Sequence, residues 1–167
     1  MVGRLDCTTN LRMRGFDSLS MLTILRRNKM KAIQATKAMK KAYNYKTNPA
    51  TFSRGMVVGN TLYISGTASV GPNGETLHKG NFALQVRRMF SNVTEVLKEA
   101  KMNWHNIVKT TIYIRDIDRD YEEFNKVRRE FFDSLFIHPY PASVCVEAKL
   151  CCNDWLIEVE AIAIIYS

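Results

Sequence analysis

Apolar and polar positions fall into regular rhythms from residue 51 onward. Met56, Val57 and Val58 form one short run, and Thr61, Leu62, Tyr63, Ile64 and Ser65 form another, with Gly59 and Asn60 between them. Two residues that tolerate positive φ between such runs predict a β-hairpin. Residues 68–70 predict a further short strand, closed by the turn cluster Gly71, Pro72, Asn73 and Gly74. Over residues 81–101 the rhythm changes: Phe82, Val86, Met89, Phe90, Val93, Val96, Leu97 and Ala100 recur every three or four positions. That spacing gathers them on one stripe of a helix.

Residues 107–115 alternate again, with Val108, Thr110, Ile112 and Ile114 sharing one side. A second helix is predicted over residues 118–136, with Tyr121, Phe124, Val127, Phe131 and Leu135 as its stripe, stopped by Pro139 and Pro141. Strands over residues 142–150 and 155–166 end the chain. The order β-β-(β)-α-β-α-β-β over about 117 residues is an α+β arrangement in two layers.

Strand parity says which groups share a face. Ile157, Val159, Ala161, Ala163 and Ile165 belong under the helices, which turns Glu158 and Glu160 the other way. The same rule places Lys109, Thr111, Tyr113 and Arg115 on the uncovered face. It also puts Ala142, Val144, Val146 and Ala148 on the apolar side, with Ser143, Cys145, Glu147 and Lys149 opposite. Solvent alone accounts for Lys and Glu on such a face. Cys145, Tyr113, Ile162 and Ile164 on it point instead to a subunit interface that holds a pocket.

Composition bounds the rest. The chain has 167 residues and four cysteines, Cys7, Cys145, Cys151 and Cys152, whose spacing fits neither a disulfide scaffold nor a zinc knuckle. No apolar run reaches the roughly 18 residues of a membrane-spanning helix, and reduced thiols place the chain in a cytoplasmic compartment. The net charge of +8 is unevenly spread: residues 1–50 hold eleven basic and two acidic residues, leaving 13 basic and 14 acidic in residues 51–167. The basic character therefore belongs to an N-terminal extension rather than to the folded part. Residues 19–43 of it have helix-forming composition. Three readings stand: a transit peptide that sends the chain to the mitochondrial matrix, an arm for anionic lipid or nucleic acid, and an appendage with no separate role. His78, His105 and His138 share no ligand spacing, and phosphate-binding glycine loops are missing, so no metal and no cofactor is expected.

An ordered set of residues carries more. It comprises Ser65 and Gly66 after the hairpin, the strand run Val108, Lys109, Thr110 and Thr111, and Phe124, Asn125, Phe131 and Phe132 in a helix. Pro141 and Ala142, then Cys145, Val146 and Glu147, follow, and the run from Ile157 through Glu158 and Glu160 to Ala163 closes it. Taken in this order, residues 51–165 resemble the RidA/YjgF family. The resemblance implies a chorismate-mutase-like fold, a mixed sheet covered by two helices on one face, and a homotrimer with sites in the clefts between subunits. It also implies hydrolysis of reactive 2-imino or enamino acids to 2-keto acids and ammonia. In that scheme Glu158 and the backbone near Cys145 hold the attacking water, while Ser65, Gly66 and Asn125 line the pocket.

Three positions depart from the pattern. Phe52 stands where the family has Tyr, Thr67 where Gln is frequent, and Ser143 where an Arg grips the substrate carboxylate. A hydroxyl cannot reproduce a planar bidentate fork. Hydrogen bonds to charged groups contribute about 1.5–3 kcal/mol, so the loss is on the order of ten- to hundred-fold in affinity or rate. Arg54, just before the first strand and with the parity of Met56 and Val58, is the expected replacement, against a plain surface arginine. Cys145 reads either as a nucleophile or as a small buried thiol, the latter being commoner. Glu158 and Glu160, two apart on one face, read as a pair with one raised pKa or as solvated glutamates.

The expected function is therefore a RidA-like deaminase acting on a small carboxylate. The alternatives are a non-catalytic metabolite-binding trimer and an RNA-binding or RNA-cleaving protein that uses the basic extension.

Overall fold

The structure, a computed structural model, describes residues 30–33 and 52–166 of the chain. One sheet contains six strands: β1 (Lys31–Ile33), β2 (Gly55–Val58), β3 (Thr61–Ala68), β4 (Ile107–Ile114), β5 (Ala142–Glu147) and β6 (Ile157–Ile164). They lie in the order β1-β2-β3-β6-β4-β5. Every neighbouring pair is antiparallel except β4 and β5, so the sheet is mixed. The hairpin between β2 and β3 turns at Gly59, whose φ of 61° is open to a residue without Cβ.

Two helices supply the second layer, α1 (Phe82–Glu99) and α2 (Ile117–Ser134). Asn81 caps α1 by accepting the Leu84 amide at 3.0 Å, and Asp116 caps α2 by accepting that of Arg119 at 3.1 Å. Asp118 and Asp120 in the first turn of α2 complement its dipole. Helix α2 also makes the long crossover that a parallel β4-β5 pair needs.

The stripe expected on α1 is buried from Phe82 to Leu97. On α2, Phe124 and Val127 are buried as expected, but Tyr121 is exposed and Phe132 rather than Phe131 is fully covered. Buried Asp120 sits beside Tyr121, its carboxylate accepting from Arg119 Nε at 2.8 Å and Nη2 at 2.6 Å. Pairing lets the carboxylate occupy a covered position that an aromatic ring was expected to fill. Phe90 stacks on Phe131 at 4.6 Å between ring centroids and meets Trp104 edge-on at 5.4 Å, which closes the far end of the core.

Under these helices lie Leu62 and Ile64 of β3, Ile112 and Ile114 of β4, and Ile157, Val159, Ala161 and Ala163 of β6. The parity expected for β4 holds from Lys109 onward and that for β6 from Ile157 to Ala163. Ile165, expected under the helices, lies past the end of β6 and is exposed, and a register shift between Ile107 and Lys109 buries Ile107 in place of Val108.

Three expectations need correction. The parity given to β5 is inverted, because Thr110 lies opposite Ser143, Ile112 opposite Cys145 and Ile114 opposite Glu147. Ser143, Cys145 and Glu147 therefore share the helix side, and Val144 and Val146 stand 44% and 40% exposed on the other. The strand predicted over residues 68–70 is partly the end of β3, and Val70 only bridges to Thr76. Within the stretch expected to be helical over residues 19–43, Lys31–Ile33 is a strand paired with Gly55–Val57, and Ile33 enters the core at 2% exposure. Apart from residues 30–33, residues 1–51, including Cys7, lie outside the described residues.

Two buried amides fasten α1 to the loops beside it. Gln85 Nε2 donates to the Asp154 carbonyl at 2.8 Å, and its Oε1 accepts the Leu156 amide at 2.9 Å. Asn92 Nδ2 donates to the Ala68 and Val70 carbonyls, both at 2.9 Å. A Gln85→Met substitution keeps the volume and strands two main-chain groups. It is expected to destabilise the chain by about 2 kcal/mol, seen as a lower urea midpoint with an unchanged slope.

Candidate active site

One group of residues gathers where β3 slips against β6. The register shifts between Ile64 and Thr67, so the backbone at Ser65 and Gly66 leaves the ladder. Ser65 Oγ donates to the Ser53 carbonyl at 2.7 Å, and its amide donates to the Arg54 carbonyl at 3.0 Å. Thr67, expected to line the pocket, is buried, and its hydroxyl donates to the Ser65 carbonyl at 2.8 Å, holding the irregular stretch closed. Phe52, just before β2, is 43% exposed.

Glu158 projects from β6 onto the face without helices, directly against Gly66. A methyl group at Gly66 would collide with Glu158 Oε1. Partial burial pushes the Glu158 carboxyl above the usual carboxylate range, and the negative charge of Glu160 adds to the effect. Tyr113 lies opposite Glu158 in register. Burial, followed by the charge of Glu160 and a hydrogen bond to it, raises the Tyr113 phenol. Alongside is a cavity of about 300 Å³ on the same face, lined by Tyr63, Ser65, Lys109, Thr111, Glu160 and Ile162 among others.

A second group lies on the helix side at the β5 edge. Asn125 and Arg128 stand one turn apart on α2, and the guanidinium donates from Nη2 to Asn125 Oδ1 at 2.7 Å and from Nη1 to Ser143 Oγ at 3.2 Å. Thr110 Oγ1 donates to the same Ser143 oxygen at 3.1 Å. The Arg128 guanidinium carbon sits 4.8 Å from the centroid of the Phe124 ring. These groups open onto a cavity of about 370 Å³ whose apolar wall includes Phe132, Tyr140 and Pro141. Cys145, two residues along β5, packs against the core. Burial pushes its thiol up, outweighing the opposing pull of the Arg128 charge, so it is neutral at pH 7.

Ser65, Gly66 and Glu158 thus lie together on one face, and Asn125, Ser143 and Cys145 lie on the other side of the same sheet; one chain does not bring the two groups together. Arg54 turns toward the helical layer, donating from Nη2 to the Asn92 carbonyl of α1 at 3.3 Å. It precedes the regular part of β2, so strand parity does not extend to it. Among the described residues no group of His, Cys, Asp and Glu is arranged to hold a metal, and Cys145, Cys151 and Cys152 are free thiols.

Residues 45–165 match the family model described as Endoribonuclease L-PSP. The chain belongs to this family, RidA/YjgF. A RutC family protein of Pyrococcus abyssi is 33% identical over 112 residues, covering 67% of this chain and 84% of its own. The human 2-iminobutanoate/2-iminopropanoate deaminase is 32% identical over 113 residues, covering 68% and 79%. Among solved structures, TdcF of E. coli with bound serine aligns with a TM-score of 0.67 and 27% identity over 81% of this chain and all of the other. The six-stranded mixed sheet with two helices is the fold these family members share.

Arg128 escaped the reading of the sequence. Its signal was there in the spacing, three residues after Asn125 on one helical face, but only the β4-β5 register shows that this face meets Ser143. In this RidA/YjgF protein the raised Glu158 pKa has a measurable sign. Its folded value lies above the unfolded one, so burial of the charged form costs stability that returns as pH falls. Glu158→Gln is expected to stabilise the fold at pH 7, and the gain should vanish as pH drops below the ordinary carboxylate range, followed by thermal melts across pH.

Proposed function

We propose that this RidA/YjgF protein is a deaminase of small 2-imino and enamino acids, with a site completed between copies of a homotrimer. Water adds to the C=N carbon, the C–N bond breaks, and a 2-keto acid and ammonia leave. Glu158 takes the proton from the water and returns it to the departing nitrogen, a task suited to a carboxyl group whose pKa is raised. Ser65 and Gly66 shape the space beside it, Phe52 and Thr67 support that side, and Asn125, Ser143 and the neutral Cys145 contribute the other.

The observation that carries this reading is the half-buried Glu158 carboxyl seated against Gly66 on a face that no described helix covers. The two separated groups support a shared site, because a second copy is what unites them. Val144 and Val146, uncovered on the same side of the sheet, supply apolar area for that contact. The human relative named as an iminobutanoate/iminopropanoate deaminase and the serine bound to TdcF favour a small amino-acid-derived substrate. Free thiols fit a reducing compartment such as cytoplasm or mitochondrial matrix. The RNA-directed alternative rested on the basic extension, of which only residues 30–33 are described, and among the described residues no helix is long and apolar enough to cross a membrane.

Ammonia release from freshly generated 2-iminobutanoate is the direct assay. Glu158→Ala is expected to lower the rate at least about 100-fold. Turnover that survives this change refutes the assignment, and tight binding of the keto acid without turnover identifies a metabolite-binding trimer. Light scattering is expected to give three times the chain mass, and Val146→Glu, which places a charge on the apolar contact, should shift it toward one.

A further inference from the structure

We infer that Arg128 is the residue that binds the substrate's carboxylate, so the anion grip has moved from strand β5 to helix α2. The inference rests on the proposed activity and identifies the part of the site that selects acids.

Three observations converge on this residue. The guanidinium is anchored from several sides, by Asn125 Oδ1 at 2.7 Å, by Ser143 Oγ at 3.2 Å and by the Phe124 ring at 4.8 Å. All three partners are neutral. No carboxylate among the described residues lies within 4.0 Å of it, whereas Arg87 and Arg119 are paired with acids. It also borders a cavity of about 370 Å³. A guanidinium has five N–H donors, and two are spent on Asn125 and Ser143, leaving three for an anion.

The small residue at position 143 is what permits the arrangement. A long side chain at that point of β5 would occupy the space in which Ser143 Oγ meets Arg128 and Thr110. Ser143 instead accepts from both, orienting the helix-borne cation toward the cavity. The half-cavity has one cationic end, an apolar wall of Phe132, Tyr140 and Pro141, and Glu122 and Arg129 at its margin. It suits a monoanion with a short apolar tail, and Glu122 disfavours a second negative charge on the ligand. Arg54 donates from Nη2 to the Asn92 main-chain carbonyl of α1.

The test uses the full-length protein. Binding of 2-oxobutanoate is followed by calorimetry, and turnover of 2-iminobutanoate by ammonia release, for wild type, Arg128→Ala, Arg54→Ala and the double variant Arg128→Ala with Ser143→Arg. Arg128→Ala is expected to raise Kd and KM about ten- to hundred-fold with a smaller effect on kcat. Arg54→Ala should leave Kd within about twofold of wild type, and the double variant should regain much of the affinity by returning a guanidinium to β5. Unchanged Kd in Arg128→Ala, or a loss confined to Arg54→Ala, overturns the inference while leaving deamination intact. Arginine-dependent binding without ammonia release keeps the grip and removes the deaminase reading. Wild-type protein that neither binds 2-oxobutanoate nor releases ammonia overturns both.

Discussion

Both helices pack on the same face of the sheet, and this asymmetry governs what every strand residue does. Alternating side chains on β3, β4 and β6 divide into a set buried against α1 and α2 and a set that no described element covers. Hydrophobic burial drives the first set and thereby forces the second outward, because strand parity allows no other choice. Glu158 is outward-facing for that reason. Its partial desolvation has a local cause, since the shifted register at Ser65 and Gly66 brings backbone up against its carboxyl group.

At the β5 edge the electrostatics are reversed. Around Glu158, a half-buried carboxyl group feels the negative charge of exposed Glu160; around Ser143, an arginine is surrounded by neutral acceptors and a ring face. In the proposed site shared between copies, a proton-accepting end meets an anion-accepting end, in the order a 2-imino acid presents its reacting carbon and its carboxylate. Val144 and Val146 stand exposed on the face without helices, which is costly in an isolated chain.

Local patterns made much of the fold legible. The hairpin at Gly59, both helices to within two residues at each end, and the alternation along most of β4 and β6 are short-range signals, and these appear where the sequence implied, save at the strand ends Val108 and Ile165. What escaped depends on pairing at a distance. Alternation in β5 establishes that Ser143 and Cys145 share a face but not which face, and the parallel register with β4 decides it. β1 is three residues long and exists through its ladder with β2, so composition pointed to helix instead. The candidate site shows the same division. Ser65, Gly66, Asn125 and Glu158 were readable from their ordered resemblance to the RidA/YjgF pattern. Arg128 was not, because its relevance arises from a side chain missing elsewhere in that pattern.

Glu158 and Gly66 occupy one volume between them. The carboxyl oxygen fills the space where a Cβ at position 66 would sit, so neither position is free to vary alone. A larger residue at 66 must displace the glutamate or the strand beneath it, and a shorter side chain at 158 leaves a void that an alanine at 66 partly refills. Sequence drift across the family should therefore register as paired substitution at these two sites, ninety-two positions apart along the chain yet adjacent across one ladder.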